Sequence, residues 1–205
     1  MRYHDETLEL TGSGVILARI ISRLTPAPLV NLYVGAIMAY ASPIGLGPML
    51  DFVSALLVVV IIMVVAPIAP IVYAAWKGRT DLDVSVQESR SKFLAFSLLC
   101  YIFAIAIFGF TSCLILQVLA AAYFNVTLGV LIVNQRSKIS VHGAGVGGPG
   151  TALLAVYGWM ALPVVILWAL VIWSRIRLRQ HSFLQAAAGV ILGVLITWPT
   201  YIVLY

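Results

Sequence analysis

Two of the three histidines stand where polar segments of the chain give way to long apolar runs. His142 and His181 each end a polar segment, whereas His4 lies in the N-terminal tail. An imidazole can act as a nucleophile or as a proton donor near neutral pH, because its unperturbed pKa is about 6.5. A single histidine at such a boundary is more simply explained as the anchor of a helix end, so the neighbouring residues decide between the two interpretations.

Both histidines have basic residues shortly before them. Arg175 precedes His181, Lys138 precedes His142, and Arg90 lies in an earlier polar segment. A guanidinium group binds two phosphate oxygens at once, which a point charge does less well. Phosphoryl transfer chiefly requires a positioned phosphate and stabilised charge on its oxygens. Histidines combined with arginines therefore indicate chemistry on a phosphate group.

The segment that ends at His181 carries the most specific pattern. Ser174-Arg175, five further residues and then His181 resemble the third motif of the type 2 phosphatidic acid phosphatase (PAP2) superfamily of membrane lipid phosphatases. Gly189 and Gly193 follow on the next predicted helix, as glycines often do in that family.

Two further segments are similar to the other motifs of the family. Ser140-Val141-His142 resembles the end of the second motif, which is usually Pro-Ser-Gly-His, and Arg90 resembles the arginine of the first motif. The resemblance covers roughly residues 77–193. The second motif is less specific than the third, and the first is the least specific.

The resemblance implies a catalytic scheme. His181 would attack phosphorus and form a phosphohistidine, and His142 would protonate the leaving oxygen. A covalent intermediate of this kind splits one difficult step into two easier ones. We expect four side chains to hold the substrate phosphate: Arg90, Arg175, Lys138 and Ser140.

The first motif departs from the family pattern. Asp83 stands where a lysine usually precedes Arg90 by seven positions, and Ser91 replaces the proline that usually follows it. Lys138 is our candidate for the missing lysine, although an ordinary interfacial lysine that extends to water would look the same in the sequence. The departures predict a divergent branch of the family or a protein with weakened activity.

A further departure lies four positions after His181. Gln185 stands there instead of a carboxylate, which would fix the imidazole tautomer and stabilise its charged form. Glutamine still orients the ring, so we include Gln185 among the catalytic residues and expect slower catalysis. A compensating charge would have to come from the first polar segment, which contains Asp81, Asp83 and Glu88.

The remaining polar and small residues indicate neither a metal ion nor a cofactor. Asp81 and Asp83 could bind a divalent cation, but two carboxylates in one loop are more often simply solvated. The glycine-rich stretch 143–150 offers bare N–H groups and the positive end of a helix dipole to an anion. Close helix packing is the commoner use of such residues, and it is the role we predict for Gly189 and Gly193.

The composition indicates a membrane protein. Hydrophobic residues make up 62% and charged residues 9% of the 205 positions, whereas a soluble domain carries roughly 25% charged residues. So few charges cannot cover a water-facing surface. The net charge of +5 comes from basic residues between apolar runs, which favours an effect of membrane topology over nucleic-acid binding. Cys100 and Cys113 lie inside apolar runs and indicate packing.

A membrane-spanning helix needs ~20 apolar residues, and the uncharged stretches supply the candidates. We predict an all-α, polytopic bundle of six to seven transmembrane helices with a PAP2-like core, folded as a single domain over residues 1–205. An N-terminal tail and a short interfacial helix carrying Arg19 and Arg23 would occupy residues 1–27, although a frayed terminus fits that segment equally well. The predicted passes lie within 24–50, 52–76 (kinked at Pro67 and Pro70), 93–133 (two helices with a turn at 109–112), 143–173 and 182–205.

The stretch 143–173 decides whether the two histidines can meet. They face the same side only if this stretch crosses the membrane twice, with a turn near Gly158 to Pro163. Two arms of about 14 to 18 residues would each span roughly 21 to 27 Å, slightly less than the ~30 Å core. A single tilted helix is the competing interpretation, and it would exclude the phosphatase hypothesis.

The distribution of charge predicts the orientation. With seven passes, all 12 lysines and arginines fall on the side of His142 and His181, and Asp51 is the one charged residue on the other side. Basic residues concentrate in cytoplasmic loops. We therefore expect a cell-membrane protein whose active-site face is cytoplasmic.

The sequence as a whole predicts an integral membrane phosphatase acting on a lipid phosphate or polyprenyl diphosphate, whose partners are that substrate and the membrane lipids. A phosphotransferase and a non-catalytic lipid-phosphate carrier stay open, and Asp83 and Gln185 favour the carrier. A small-molecule transporter is weaker, because Gln117 and Asn125 are the nearest candidates for polar groups at mid-membrane.

Overall fold

The computed structural model describes residues 3–205, apart from the side chain of Thr7. The chain is all-helical, with 78% of its residues in helices, and the described residues form no strand. This confirms the predicted all-α class. The eight α-helices of the described chain are α1 (Ser13–Leu24), α2 (Ala27–Tyr40), α3 (Phe52–Trp76), α4 (Gln87–Phe110), α5 (Leu114–Asn134), α6 (Val141–Tyr157), α7 (Val164–Arg177) and α8 (Phe183–Leu204).

Within residues 3–205, four helices are long and apolar enough to cross a membrane, namely α3, α4, α5 and α8. Helices α1 and α2 meet at a bend of 57° and count as a fifth span if they are taken together. Helices α6 and α7 are shorter, with 17 and 14 residues. Several apolar helices therefore suit a multi-pass membrane protein, while the count of six to seven passes stays a prediction.

Helix α3 changes its hydrogen-bonding pattern in the middle. Its segment Val59–Val65 is a π-helix, which ends just before Pro67. Proline has no N–H to donate to the carbonyl four residues earlier, which is that of Met63. The side-chain amide of Asn31 on α2 donates to this carbonyl instead, at 3.2 Å. In an apolar environment, where water does not satisfy backbone groups, this bond ties α2 to α3.

The turn between α4 and α5 lies where the sequence predicts it. Helix α4 ends at Phe110, and its last carbonyls accept a hydrogen bond from the Thr111 hydroxyl. At the other end of the hairpin, Gln87 and Asn134 bond to each other's backbone carbonyls at 2.6 and 3.0 Å. These bonds fix the two helices antiparallel.

Helices α6 and α8 run parallel to each other and pack closely, because glycines on the two helices face one another. A Cβ atom at Gly143 would lie 2.7 Å from the carbonyl oxygen of Ala186, and one at Gly193 would lie 2.5 Å from the backbone nitrogen of Gly148. No larger side chain fits such a contact without movement of the backbone. The packing role predicted for Gly193 is therefore what this structure shows, and the glycine-rich stretch of α6 serves the same contact.

The stretch 143–173 is broken at the predicted place. Helix α6 ends at Tyr157, Gly158 adopts a positive φ of 60°, and α7 begins at Val164 after Pro163. Glycine adopts this conformation readily because it lacks a Cβ atom. Helix α6 therefore runs away from the end of the bundle that holds His142, and α7 returns to that end. Helix α8 then runs away from it again.

Five of the largest fully buried side chains lie toward the opposite end, namely Met38, Phe108, Ile115, Leu116 and Leu119. They come from the end of α2, the end of α4 and the start of α5. The N-terminal segment lies at the end that holds the histidines, where Arg19 of α1 pairs with Asp5 at 2.6 Å. The helix predicted to carry Arg19 and Arg23 is therefore formed, and it packs against the end of α7 through Val15, Ala18 and Leu178.

Candidate functional site

The starts of α6 and α8 are joined directly, and this places the two histidines at one end of the bundle. The backbone N–H of Ser140 donates to the carbonyl of Gln185 at 3.2 Å. His142 follows Ser140 on α6, and His181 comes immediately before the start of α8. The two imidazoles lie within electrostatic range of each other. Both histidines therefore lie at the same end of the bundle, while the two membrane crossings between them stay a prediction.

The imidazole of His181 is oriented by Gln185. Its Nδ1 atom lies 3.3 Å from Oε1 of Gln185, and the same oxygen accepts the backbone N–H of Ser182 at 3.2 Å. Because the amide oxygen accepts but does not donate, Nδ1 must carry the proton. The tautomer assigned in this way leaves the lone pair on Nε2, the atom that would act as a nucleophile.

The surroundings of His181 keep its ring neutral. Burial, followed by the charges of Arg175 and Arg90, lowers the pKa of His181 to about 3. The hydrogen bond with Gln185 acts in the opposite sense but is a smaller effect. An uncharged imidazole near neutral pH has the free electron pair that attack on phosphorus requires.

Arg90 joins two loops at this end. Its Nε donates to the carbonyl of Val84 at 2.8 Å, and its Nη1 donates to the carbonyl of Ile139 at 3.1 Å. The side chain is almost fully buried, with 5% of the residue exposed. Arg90 thereby fixes the loop before α4 against the loop before α6, and two of its three nitrogen atoms serve that purpose.

Arg175 forms the one buried ion pair found at this end among the described residues. Both of its Nη atoms lie 3.4 Å from Oδ1 of Asp83, and the side chains of Arg175 and Asp83 are 3% and 5% exposed. Nη1 also donates to the hydroxyl of Ser22 at 2.7 Å. Its Nε is buried and has no hydrogen-bond partner within residues 3–205. Residue 83, where the resembled family has a lysine, is thus an aspartate whose carboxylate pairs with Arg175.

Two opposed effects act on the carboxyl group of Asp83: burial disfavours its charged form, and the adjacent guanidinium group of Arg175 favours it. Burial raises the pKa of Asp83 above its usual value, and the charge of Arg175 acts against that rise. Asp81 in the same loop accepts hydrogen bonds from the backbone and hydroxyl groups of Ser85 and from the backbone of Asp83. It shapes the loop. Glu88 is exposed at the start of α4.

Ser22 contacts two site residues, and sequence reasoning did not identify it. Its hydroxyl accepts from Arg175, and its backbone lies close enough to the imidazole of His142 to favour the protonated ring. Ser22 lies on α1, 153 residues from Arg175 in the sequence. No local pattern marks a serine of this kind, since only the bend between α1 and α2 brings it to the site.

Lys138 and Ser140 lie in the loop before α6. Burial lowers the pKa of the Lys138 ammonium group, and the charges of Arg90 and Arg175 lower it further, so three cations share this region. Ser140 is fully buried and accepts the backbone N–H of Gly143 at 3.0 Å, which makes it the N-cap of α6. A phosphate-binding role for either residue stays a prediction.

A cavity of about 200 Å³ opens beside these residues, between α2, α3, α4 and α6. It exceeds the ~150 Å³ apolar cavity that accepts benzene in an engineered protein. Its lining includes Tyr3, Asp83, Arg90 and His142 from the end of the bundle that holds the histidines, and we call this part its polar end; Ser97, Tyr101 and Thr127 add polar groups farther along α4 and α5. Its other walls are largely apolar and include Pro26, Pro28, Pro67, Ile68, Ile71, Phe93 and Leu94.

Five of the seven predicted site residues are not part of this wall, namely Arg175, His181, Gln185, Lys138 and Ser140. Asp83 lines the cavity and contacts Arg175, which connects that arginine to the wall. The structure therefore gathers the predicted residues at one end of the bundle, but it places only Arg90 and His142 of them at the cavity surface. No group of three histidine, cysteine, aspartate or glutamate side chains suited to a metal ion occurs among residues 3–205.

Comparison with known proteins adds no assignment. No model of a protein family matches the chain, and no curated protein or solved structure matches it either.

Proposed function

We propose that the protein is an integral membrane phosphatase that hydrolyses a lipid phosphate or polyprenyl diphosphate, in the manner of the PAP2 superfamily. The observation that carries the proposal is a cavity with Arg90 and His142 at its polar end and apolar residues along its other walls. A lipid phosphate has the same division, because its headgroup is an anion and its tail is hydrocarbon. The neutral, oriented imidazole of His181 at the same end of the bundle supports covalent catalysis.

In the proposed reaction, Nε2 of His181 attacks phosphorus and the bond from phosphorus to the lipid oxygen breaks. His142 gives a proton to the leaving lipid alcohol. Burial and the nearby cations disfavour its charged ring, so His142 has to take up this proton from solvent as the anionic phosphate binds. Water then attacks the phosphohistidine, the bond from phosphorus to nitrogen breaks, and the proton of the water returns to His142. Arg90 and Lys138 would stabilise the charge that develops on the phosphate oxygens.

We further propose that the basic end of the bundle faces the cytoplasm in the cell membrane. The contacts that join the N-terminal segment to the loops before α4, α6 and α8 gather the basic residues at this end. The other end carries Asp51, which caps α3. Concentration of basic residues on one side is the usual mark of a cytoplasmic face.

A non-catalytic carrier of lipid phosphates is the second candidate. The ion pair between Arg175 and Asp83 favours it, because the carboxylate occupies the side of the guanidinium group that a catalytic site would turn to the substrate. Arg90 and the cavity would suffice for binding. A phosphotransferase differs from the phosphatase only in the final step, where an alcohol replaces water.

Phosphate release by purified protein tests the proposal. The substrates are phosphatidic acid, farnesyl phosphate and farnesyl diphosphate, and the variants are His181→Gln and His142→Gln. We expect each variant to lose activity by about 10²-fold or more, because each removes a group that acts in the chemical step. Arg79→Ala, which removes an exposed basic residue at the same end, is the matched control and should retain activity.

The alternatives give different results. Equal release from the wild type and both histidine variants would mean a contaminating phosphatase and would contradict the proposal. Binding of the lipid phosphates without any release would identify the carrier. Release only in the presence of an added alcohol would identify the phosphotransferase.

A further inference from the structure

Asp83 connects the cavity to Arg175. Its side chain is among the groups that line the polar end of the cavity, and its Oδ1 lies 3.4 Å from both Nη atoms of Arg175. Arg175 itself is not part of the cavity wall. The carboxylate therefore occupies the face of the guanidinium group that would otherwise be available to an anion in the cavity.

Some of the other hydrogen-bond donors of the two arginines are engaged by the protein itself. Ser22 accepts from Nη1 of Arg175, and the carbonyls of Val84 and Ile139 accept from Nε and Nη1 of Arg90. The Nε of Arg175 is buried without a partner in the described chain. The protein's own groups therefore compete with a substrate for part of this donor capacity.

The charge at this end is limited in the same way. Arg90, Arg175 and Lys138 bring three positive charges, and Asp83 and Asp81 oppose them. His181 is neutral near neutral pH because its pKa is about 3. Each negative charge of a bound ligand would lie beside the buried Asp83 carboxylate. The two charges repel each other, and solvent screens this repulsion poorly at a buried site.

We propose that Asp83 takes the place of a second phosphoryl group, so that the site binds a lipid monophosphate in preference to a lipid diphosphate. This inference rests on the function proposed above and selects between its two substrate classes. A monophosphate reaches Arg90 and His142 while the ion pair between Asp83 and Arg175 stays intact. A diphosphate has to displace the carboxylate or lie beside it.

Binding of two lipids with the same tail tests the proposal. The dissociation constants of farnesyl phosphate and farnesyl diphosphate are measured by calorimetric titration of the detergent-purified protein. We expect the wild type to bind the monophosphate at least tenfold more tightly. In Asp83→Asn, which removes the negative charge and keeps an oxygen acceptor for Arg175, the preference should fall by tenfold or more.

Two control variants separate charge from other effects. Asp83→Glu keeps the charge and should retain the preference of the wild type. Asp51→Asn makes the same chemical change at the opposite end of the bundle, where Asp51 caps α3, and should leave the preference unchanged. The ratio of two dissociation constants is independent of the fraction of folded protein, and the wild-type ratio is informative even if Asp83→Asn does not fold.

The outcomes distinguish this inference from the phosphatase proposal. Equal or tighter binding of the diphosphate by the wild type would overturn the inference, as would an unchanged preference in Asp83→Asn. The expected preference without any phosphate release would support the inference and contradict the phosphatase. Failure of the wild type to bind either lipid would overturn both.

Discussion

The imidazole of His181 is paired with a neutral amide where the resembled phosphatases have a carboxylate. Gln185 fixes the tautomer through its Oε1 atom, so orientation is preserved. The stabilising negative charge is missing, and the pKa of His181 falls to about 3 through burial and the nearby arginines. Orientation and charge compensation, which one carboxylate usually provides together, are therefore separated at this residue.

Gln185→Glu restores the charge and tests this separation. A carboxylate next to an imidazole raises its pKa by roughly 1 to 3 units. The nucleophile is the neutral ring, so activity is lost as the pH falls through the pKa of His181, and a higher pKa moves that loss to higher pH. We expect the acid limb of the pH–rate profile to move up by at least about one unit and turnover at pH 7 to rise about tenfold, because the charged ring of the intermediate is stabilised.

The control for this prediction is Gln135→Glu. Gln135 is exposed in the loop after α5, at the same end of the bundle, so the variant adds the same charge without contact to His181. The interpretation of Gln185 is wrong if the acid limb stays in place in Gln185→Glu, or if both variants move it equally.

At the scale of elements, the contact between α6 and α8 positions the two histidines. Each helix follows its histidine closely, and both run in the same direction from the same end of the bundle. Glycines bring the two backbones into contact, and the bond from Ser140 to Gln185 fixes the relative height of the helix starts. The spacing of the imidazoles therefore depends on a contact that extends well beyond the site.

Gly193→Ala tests the dependence on this contact. A Cβ atom at Gly193 would lie 2.5 Å from the backbone nitrogen of Gly148 and 2.9 Å from the carbonyl oxygen of Ala144, so α6 and α8 must separate. Overpacking of this kind costs about 1–3 kcal/mol. We expect a lower unfolding temperature in detergent and a loss of phosphate release, although residue 193 lies about 15 Å along α8 from its start at about 1.5 Å per residue.

Gly14→Ala is the matched control. The nearest atom to a Cβ at Gly14 is the side-chain Nε of Arg177 at 3.4 Å, an ordinary contact, and alanine favours the helix more than glycine does. This variant should be as stable as the wild type or slightly more stable. Equal stability of Gly193→Ala and Gly14→Ala would show that the helix contact is looser than the structure indicates.

At the scale of the whole molecule, the helix bundle has two chemically different ends. The N-terminal segment and the loops before α4, α6 and α8 meet at the basic end through Ser22, Arg90 and Arg175. The loop after α2 and the α4–α5 turn meet at the other end, where the backbone at Gly47 lies against that at Ser112. If the two ends of the bundle lie on opposite faces of a membrane, α6 and α7 must each cross from one face to the other.

Cysteine labelling tests whether α6 and α7 form a pair of crossings. Ser137 is exposed in the loop before α6, and Met160 is 69% exposed between α6 and α7. In intact cells, a membrane-impermeant maleimide should label Met160→Cys, and it should label Ser137→Cys only after the membrane is permeabilised. The native Cys100 and Cys113 are buried, so the wild type serves as the background.

Labelling of both variants from the same side would contradict the paired crossings. It would mean that α6 and α7 enter the membrane and return without crossing. Labelling of Ser137→Cys alone from outside would keep the crossings but reverse the proposed orientation.

Much of the helical layout follows from the sequence. The low share of charged residues predicted a membrane protein, and the turn at 109–112 and the break at 158–163 lie where glycine, serine and proline interrupt the apolar runs. These features are local, because the chemistry of a few consecutive residues determines whether a helix continues. The same holds for the proline-bearing helix at 52–76, although the π-helical segment before Pro67 was not predicted.

The composition and the spacing of small and polar residues by themselves determined the helical class, the positions of the helix breaks and the candidate histidines and arginines. Only the tertiary structure decided that Asp83 neutralises Arg175, that Ser22 contacts both Arg175 and His142, and that His181 is not part of the cavity wall. These contacts join residues far apart in the chain, and their geometry depends on how helices pack. The physical reason is that helix formation is governed by local chemistry, whereas the partner of a buried charge depends on which segments meet when the bundle closes.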